Sequence, residues 1–165
     1  MPNGLPESRL EVFLVPFTKH GVQFLVIGGQ AERLIGSPHP TFDVHLCYLR
    51  TPENLERVAA LRELGVTPRG APADLPFKVD ALTLKNGSNF TFDTPVGKLD
   101  VLGYVEPLGE YPNLEANHEV YDVDGQIVKT ISLDDLIKVK THIKRNKDRE
   151  SLMQLLAIRR LRGEQ

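Results

Sequence analysis

Residues 22–48 read VQFLVIGGQAERLIGSPHPTFDVHLCY, and the two apolar runs on either side of a glycine pair decide the fold class. Val22 to Ile27 is short, apolar and β-prone, the pattern of a buried strand. Gly28-Gly29 follows without a spacer. Gln30 to Leu34 then predicts a short helix closed by Gly36 and Pro38. Thr41 to Tyr48 alternates in the manner of a strand. Phe42, Val44, Leu46 and Tyr48 fall on one face, and Thr41, Asp43, His45 and Cys47 on the other.

Outward from this segment, Leu10, Phe13, Leu14 and Phe17 recur at helical spacing within Glu7 to Lys19, and Pro16 predicts an end or kink there. Downstream, Thr51 is placed to cap a helix that starts at Pro52 and stops at Gly65. Thr67 to Pro76 is rich in Pro and Gly and predicts a loop. Short strands are predicted at Lys78 to Leu82, Asn89 to Asp93, Lys98 to Leu102, Glu119 to Val123 and Ile127 to Ile131. Gly97 marks a turn and Asp124-Gly125 a hairpin. Ser132 caps a predicted helix from Leu133 to about Lys144. After Arg145-Asn146, a second helix carries Leu152, Leu155, Leu156, Ile158 and Leu161. The order gives an α/β (α+β) fold, one domain over residues 1–165, with a mixed β-sheet, flanking helices and a C-terminal helical pair.

Composition bounds the function. The chain has 165 residues, 41% hydrophobic and 25% charged, without Trp, which is ordinary for a globular protein with a real core. One cysteine, Cys47, leaves no intramolecular disulfide and no multi-Cys zinc site. The start MPNGLPESRLEVF lacks the basic leader and apolar run of a signal peptide. No apolar stretch approaches the roughly 20 residues a membrane span needs. The expected setting is the cytoplasm, with no membrane partner. Net charge is −2, but nine Lys or Arg against two acids between Lys138 and Arg162 give +7 there and leave −9 elsewhere. That asymmetry suits a phosphate-bearing partner such as RNA, or a pair of solvated helix faces.

Three features carry chemistry. The strand, Gly28-Gly29 and helix make a phosphate seat or a simple turn: glycines admit a ligand to the backbone, and a helix start offers unpaired N–H groups. GGQAERLIG is neither a Walker loop nor a dinucleotide fingerprint. Asp43 and His45 point the same way from one strand, where a carboxylate could hold a metal bound to triphosphate oxygens. Both could also simply face solvent. Asp100 faces opposite to Leu99 and Val101 and joins them if the two strands pair. Cys47 reads as a buried thiol, and Asp134-Asp135 as helix-start charge. His20, His39, His118 and His142 show no metal-ligand spacing.

The ordered set Val26-Ile27-Gly28-Gly29-Gln30-Ala31, Thr41-Phe42-Asp43 and Asp100 resembles the nucleotidyltransferase superfamily. Its wording is similar to a minimal bacterial branch that includes toxin-type proteins of toxin–antitoxin and phage-defence systems. Leu133 to Lys140 and Arg145 to Arg149 resemble the helical end of that branch. The resemblance implies transfer of a nucleoside monophosphate from a nucleoside triphosphate to a hydroxyl. The acceptor would be tRNA or another RNA, or a protein such as an antitoxin. It implies Gly28 and Gly29 at the triphosphate, Asp43 and Asp100 as ligands of divalent Mg or Mn, and Lys140 and Lys147 on phosphate. The pattern departs at His45, which stands where the family has a second Asp. Imidazole suits Mn²⁺ or softer ions better than Mg²⁺. The departure admits a different metal arrangement, a weakened enzyme, a nucleotide- or RNA-binding module, or an association partner.

Overall fold

The computed structural model describes residues 10–72, 74–143 and 145–163. A seven-stranded mixed sheet forms its centre. In chain order, α1 (Leu10–Lys19), β1 (Phe24–Ile27), α2 (Gly28–Ile35), β2 (Asp43–Tyr48) and α3 (Pro52–Val58) come first. A 3-10 turn leads from α3 to β3 (Thr67–Pro68), α4 (Ala81–Asn86), β4 (Asn89–Thr94) and β5 (Gly97–Leu102). A separate small ribbon, β6 (Tyr104–Val105) with β7 (Gly109–Glu110), precedes α5 (Tyr111–Glu115). The hairpin β8 (Glu119–Val123) and β9 (Gln126–Thr130) leads into α6 (Leu133–Ile143) and α7 (Arg149–Leu161). The α/β mixed sheet with flanking helices and a closing helical pair is the expected architecture.

Local chemistry explains most element ends. Thr51 Oγ1 accepts from Asn54 N at 3.3 Å with Pro52 at the first helical position, and Ser132 Oγ accepts from Asp135 N at 3.1 Å. Each cap satisfies an orphan N–H of a first turn. The β8–β9 hairpin turns on Asp124 and Gly125, both at positive φ, as a tight primed turn requires.

Several local expectations fail. Pro16 does not end α1, which runs on to Lys19 with Pro16 buried inside it. A proline removes one intrahelical donor, and burial of Phe13, Leu14 and Phe17 on one face holds the helix together regardless. The expected start at Glu7 lies outside the described residues. The predicted strand at Lys78 to Leu82 is instead the approach to α4, because Asp80 accepts from Thr83 N at 2.8 Å and caps a helix there. Within the predicted loop, Thr67–Pro68 pairs with β4. The helix expected from Gln30 begins two residues earlier, at Gly28.

One hydrophobic core joins residues from α1 through α7, with Phe13, Leu14, Phe17, Leu25, Val44, Leu46, Tyr48, Leu99 and Val101 almost wholly enclosed. Cys47 is fully buried, and burial, with the Glu110 charge adding to it, pushes its thiol up to about 12. It is a packing residue and not a nucleophile. No helix among the described residues is long and apolar enough to cross a membrane.

Candidate active site

Sheet register sets His45 beside Asp100 and leaves Asp43 two residues away along the strand of His45. β2 runs parallel to β5, with Asp43 opposite Lys98 and His45 opposite Asp100. β1 lies antiparallel on the other side of β2, so Ile27 is level with His45. The chain leaves β1 at that level and turns directly into α2. Gly28 therefore sits beside the His45 ring.

The contact is close. Gly28 has φ +67°, and a Cβ built there would stand 3.0 Å from His45 Nδ1 and 3.2 Å from its Cβ and Cγ. A Cβ on Gly29 would stand 2.7 Å from Thr41 Oγ1. The glycines therefore admit His45 and Thr41 as well as any ligand, a reason the sequence did not suggest. The residue before α2, Ile27, has no polar side chain to cap the helix, and a helix start carries a positive dipole end suited to an anion.

His45 Nε2 lies 3.2 Å from Asp100 Oδ2. The other oxygen, Oδ1, accepts from Arg69 Nη2 at 2.6 Å. The Asp100 side chain is only 15% exposed, so this carboxylate is committed to two protein partners. Arg69 escaped the sequence reading. It sits just past a two-residue strand in a Pro/Gly-rich loop, with no periodicity to mark it.

A cleft of about 410 Å³ opens over Gly28, Gly29 and His45, within the usual size of roughly 300–1,000 Å³ for small-molecule sites. Leu136, Val139, Lys140 and Ile143 line it from α6, at helical spacing on one face. Leu102, Tyr104 and Val105 also line it. Its basic residues are already partnered. Lys140 Nζ lies 2.8 Å from Asp148 and 3.2 Å from Glu32. Arg145 Nε donates to Asp148 at 2.6 Å, and His142 Nε2 is 3.5 Å from Glu106. Burial alone would raise the Asp148 carboxyl, but hydrogen bonds from Lys140 and Arg145 outweigh it and hold the group below its ordinary range. Lys140 thus reaches the cleft wall while its ammonium closes a buried ion-pair cluster. The side chain of Lys147 and all of Lys144 lie outside the described residues.

The same pairing blunts the basic C-terminal run. Lys138, Lys140, Arg145, Arg159 and Arg162 each have an acidic partner. Asp148 is already counted within the run, but Asp135, Glu32, Asp134 and Glu119 lie outside it and answer four of its charges.

These residues do not fit a Mg²⁺ centre. Such a site wants several oxygen ligands at about 2.0–2.1 Å in octahedral array. Here one carboxylate, Asp100, is held by a guanidinium, the second position is an imidazole, and Asp43 is the remaining acid. Among the described residues, no group of three or more His, Cys, Asp or Glu side chains is placed to hold a metal ion.

No protein-family model matches the sequence, and no curated protein matches it either. Solved structures do. The crystal structure of the lincosamide antibiotic adenylyltransferase LnuA, lincomycin-bound, superposes with a TM-score of 0.63 at 14% identity, over 94% of this chain and 99% of that one. An antigenic nucleotidyltransferase-like protein from Paracoccidioides brasiliensis gives 0.57 at 18% identity, over 93% and 76%. A candidate nucleotidyltransferase from Thermotoga maritima gives 0.54 at 16%, over 90% and 92%. The chain has the nucleotidyltransferase fold.

Proposed function

We propose that this protein binds a nucleoside triphosphate in the cleft between its central sheet and α6. The phosphates lie at the start of α2 beside Gly28-Gly29, and the base lies against Leu136, Val139 and Ile143. One observation carries the reading: the helix start, the glycine pair and the apolar wall of α6 line the same cleft, on a fold shared with an adenylyltransferase. An anion at a helix N-terminus gains from unpaired N–H groups and the helix dipole. A planar base gains from a flat apolar wall.

Calorimetric titration with ATP, GTP, CTP and UTP, each in Mg²⁺, Mn²⁺ and EDTA, tests this. At least one nucleotide should saturate. Val139→Asp should weaken it by about tenfold or more, because it places a carboxylate where the base packs. Equal affinity in this variant, with the fold intact by circular dichroism, would remove the base from α6.

A second reading is transfer of the nucleoside monophosphate to a hydroxyl on RNA or on a protein: the hydroxyl oxygen bonds to the α-phosphorus, the α–β phosphoanhydride bond breaks, and pyrophosphate leaves. His45 favours it: the ring lines the cleft and is held by Asp100 at 3.2 Å. An imidazole next to the phosphates could accept the hydroxyl proton, with the carboxylate fixing its orientation. Labelled nucleotide incubated with total RNA or with protein extract separates the two acceptors. A partner protein of the antitoxin kind, which the resemblance of the C-terminal helices supports, would be found among the labelled proteins. His45→Ala should abolish label transfer while leaving nucleotide affinity within about threefold. Transfer that survives in His45→Ala would assign the proton to another group.

A further inference from the structure

Asp100 is the point where the site departs furthest from a metal centre, and the departure is built rather than accidental. Arg69 is anchored at several places. Its backbone N donates to Thr91 O at 3.0 Å, and its Nη2 donates to Phe92 O at 3.0 Å and to Asp100 Oδ1 at 2.6 Å. Its Nε lies 3.7 Å from Asp93 Oδ1. The side chain is 28% exposed. Both side-chain hydrogen bonds leave one nitrogen, Nη2, while Nε is buried without a hydrogen-bond partner and has only the Asp93 charge nearby; the guanidinium is planar and permanently charged. His45 covers the second Asp100 oxygen.

We infer that Arg69 is a built-in cation: it holds the place on Asp100 that a divalent ion would take, so the cleft binds nucleotide phosphates without a divalent metal. A dication drawn to Asp43 and Asp100 would have to displace the Arg69 hydrogen bond and sit beside a fixed positive charge. The neutralising charge is already present and needs no ion from solution. Arg69 is a positioning residue here, acting through Asp100 and His45. The nucleotide half of the inference rests on the proposed function. The metal half stands on the site alone.

The test uses Mn²⁺ by itself, followed through the electron paramagnetic resonance of the free ion, on the full chain. The wild type should leave the free-ion signal at its buffer level. Arg69→Gln frees both the carboxylate and the charge, and should bind Mn²⁺ at least about tenfold more tightly than wild type. Arg69→Lys keeps a cation in place and should behave as wild type, which separates charge from any loss of packing. Nucleotide affinity of the wild type should be equal, within about twofold, in EDTA and in Mg²⁺. Saturable Mn²⁺ binding by the wild type would overturn the inference, as would Arg69→Gln folding normally without a gain in Mn²⁺ binding. Nucleotide binding that vanishes in EDTA would overturn it as well. No nucleotide binding under any condition would refute the proposed function instead, leaving the Mn²⁺ result to decide the role of Arg69.

Discussion

Lys140→Ala should destabilise the protein by about 3–5 kcal/mol, the usual cost of removing one partner from a buried ion pair. The Lys140 ammonium sits between Asp148 and Glu32 at 2.8 and 3.2 Å. The side chains of those acids are 8% and 5% exposed, so neither can recover full hydration when the lysine is gone. Three elements meet at this point: α2 brings Glu32, α6 brings Lys140, and Asp148 precedes α7. The loss should therefore loosen the C-terminal helical pair as well as lower the midpoint. The acid response gives a second reading of the same cluster. Asp148 is held below its ordinary range in the folded chain. Between the unfolded and folded values the unfolded chain binds more protons, so stability rises with pH there. The contribution is complete above the unfolded carboxylate value of about 4, and it is lost as pH falls through the lowered folded value. In Lys140→Ala this acid-linked loss should shrink, because one of the two groups that depress Asp148 is absent and only Arg145 remains. Urea denaturation at neutral pH and at steps down to acid measures both effects. A loss below about 1 kcal/mol, or an unchanged acid response, would show that this cluster is too well hydrated to matter.

Gly28→Val should weaken nucleotide binding by more than about tenfold and cost several kcal/mol of stability, through two separable causes. The first is backbone strain, since φ at Gly28 is +67°; a side chain there costs about 1–2 kcal/mol. The second is space. The added Cβ would meet the His45 ring at 3.0 Å, and a branched residue adds further atoms. The imidazole must move, and with it the contact to Asp100. Gly21 provides the control: its φ is also +67°, but a Cβ there meets nothing within 4 Å. Gly21→Val therefore carries the strain alone and should leave nucleotide affinity unchanged. The difference between the two variants, in thermal midpoint and in calorimetric affinity, isolates the contact with His45. Equal stability losses together with unaltered affinity in Gly28→Val would reduce the glycine pair to a structural turn. Gly29 would fail by another route, through Thr41 Oγ1 at 2.7 Å, without the conformational strain.

Much of the site follows from local pattern. Alternation along β2 puts Asp43 and His45 on one face because strand side chains repeat every two residues. A strand running straight into two glycines and a helix predicts the turn on which the cleft is built. Asp124-Gly125, Ser132 and Thr51-Pro52 mark a hairpin and two helix starts by their own backbone preferences. Each of these signals depends on neighbours within a few residues, so the chain states them directly. Asp100 was legible only conditionally, since its place beside His45 requires β5 to lie against β2.

Tertiary structure alone decided the rest. The strand order β3-β4-β5-β2-β1-β9-β8, with β1 parallel to β9 and β2 parallel to β5, joins segments far apart in the chain, and no local preference encodes such pairings. Arg69 reaches Asp100 across 31 positions of sequence, and Lys140 meets Glu32 across more than a hundred. The sequence shows nine basic residues near the C-terminus but not that, among the described ones, Lys138, Lys140, Arg145, Arg159 and Arg162 face acids. Local chemistry determined which segments become strands and helices and which face of β2 is polar. The packing of those segments determined which charges meet, because an ion pair depends on distance in space, and distance along the chain does not carry it.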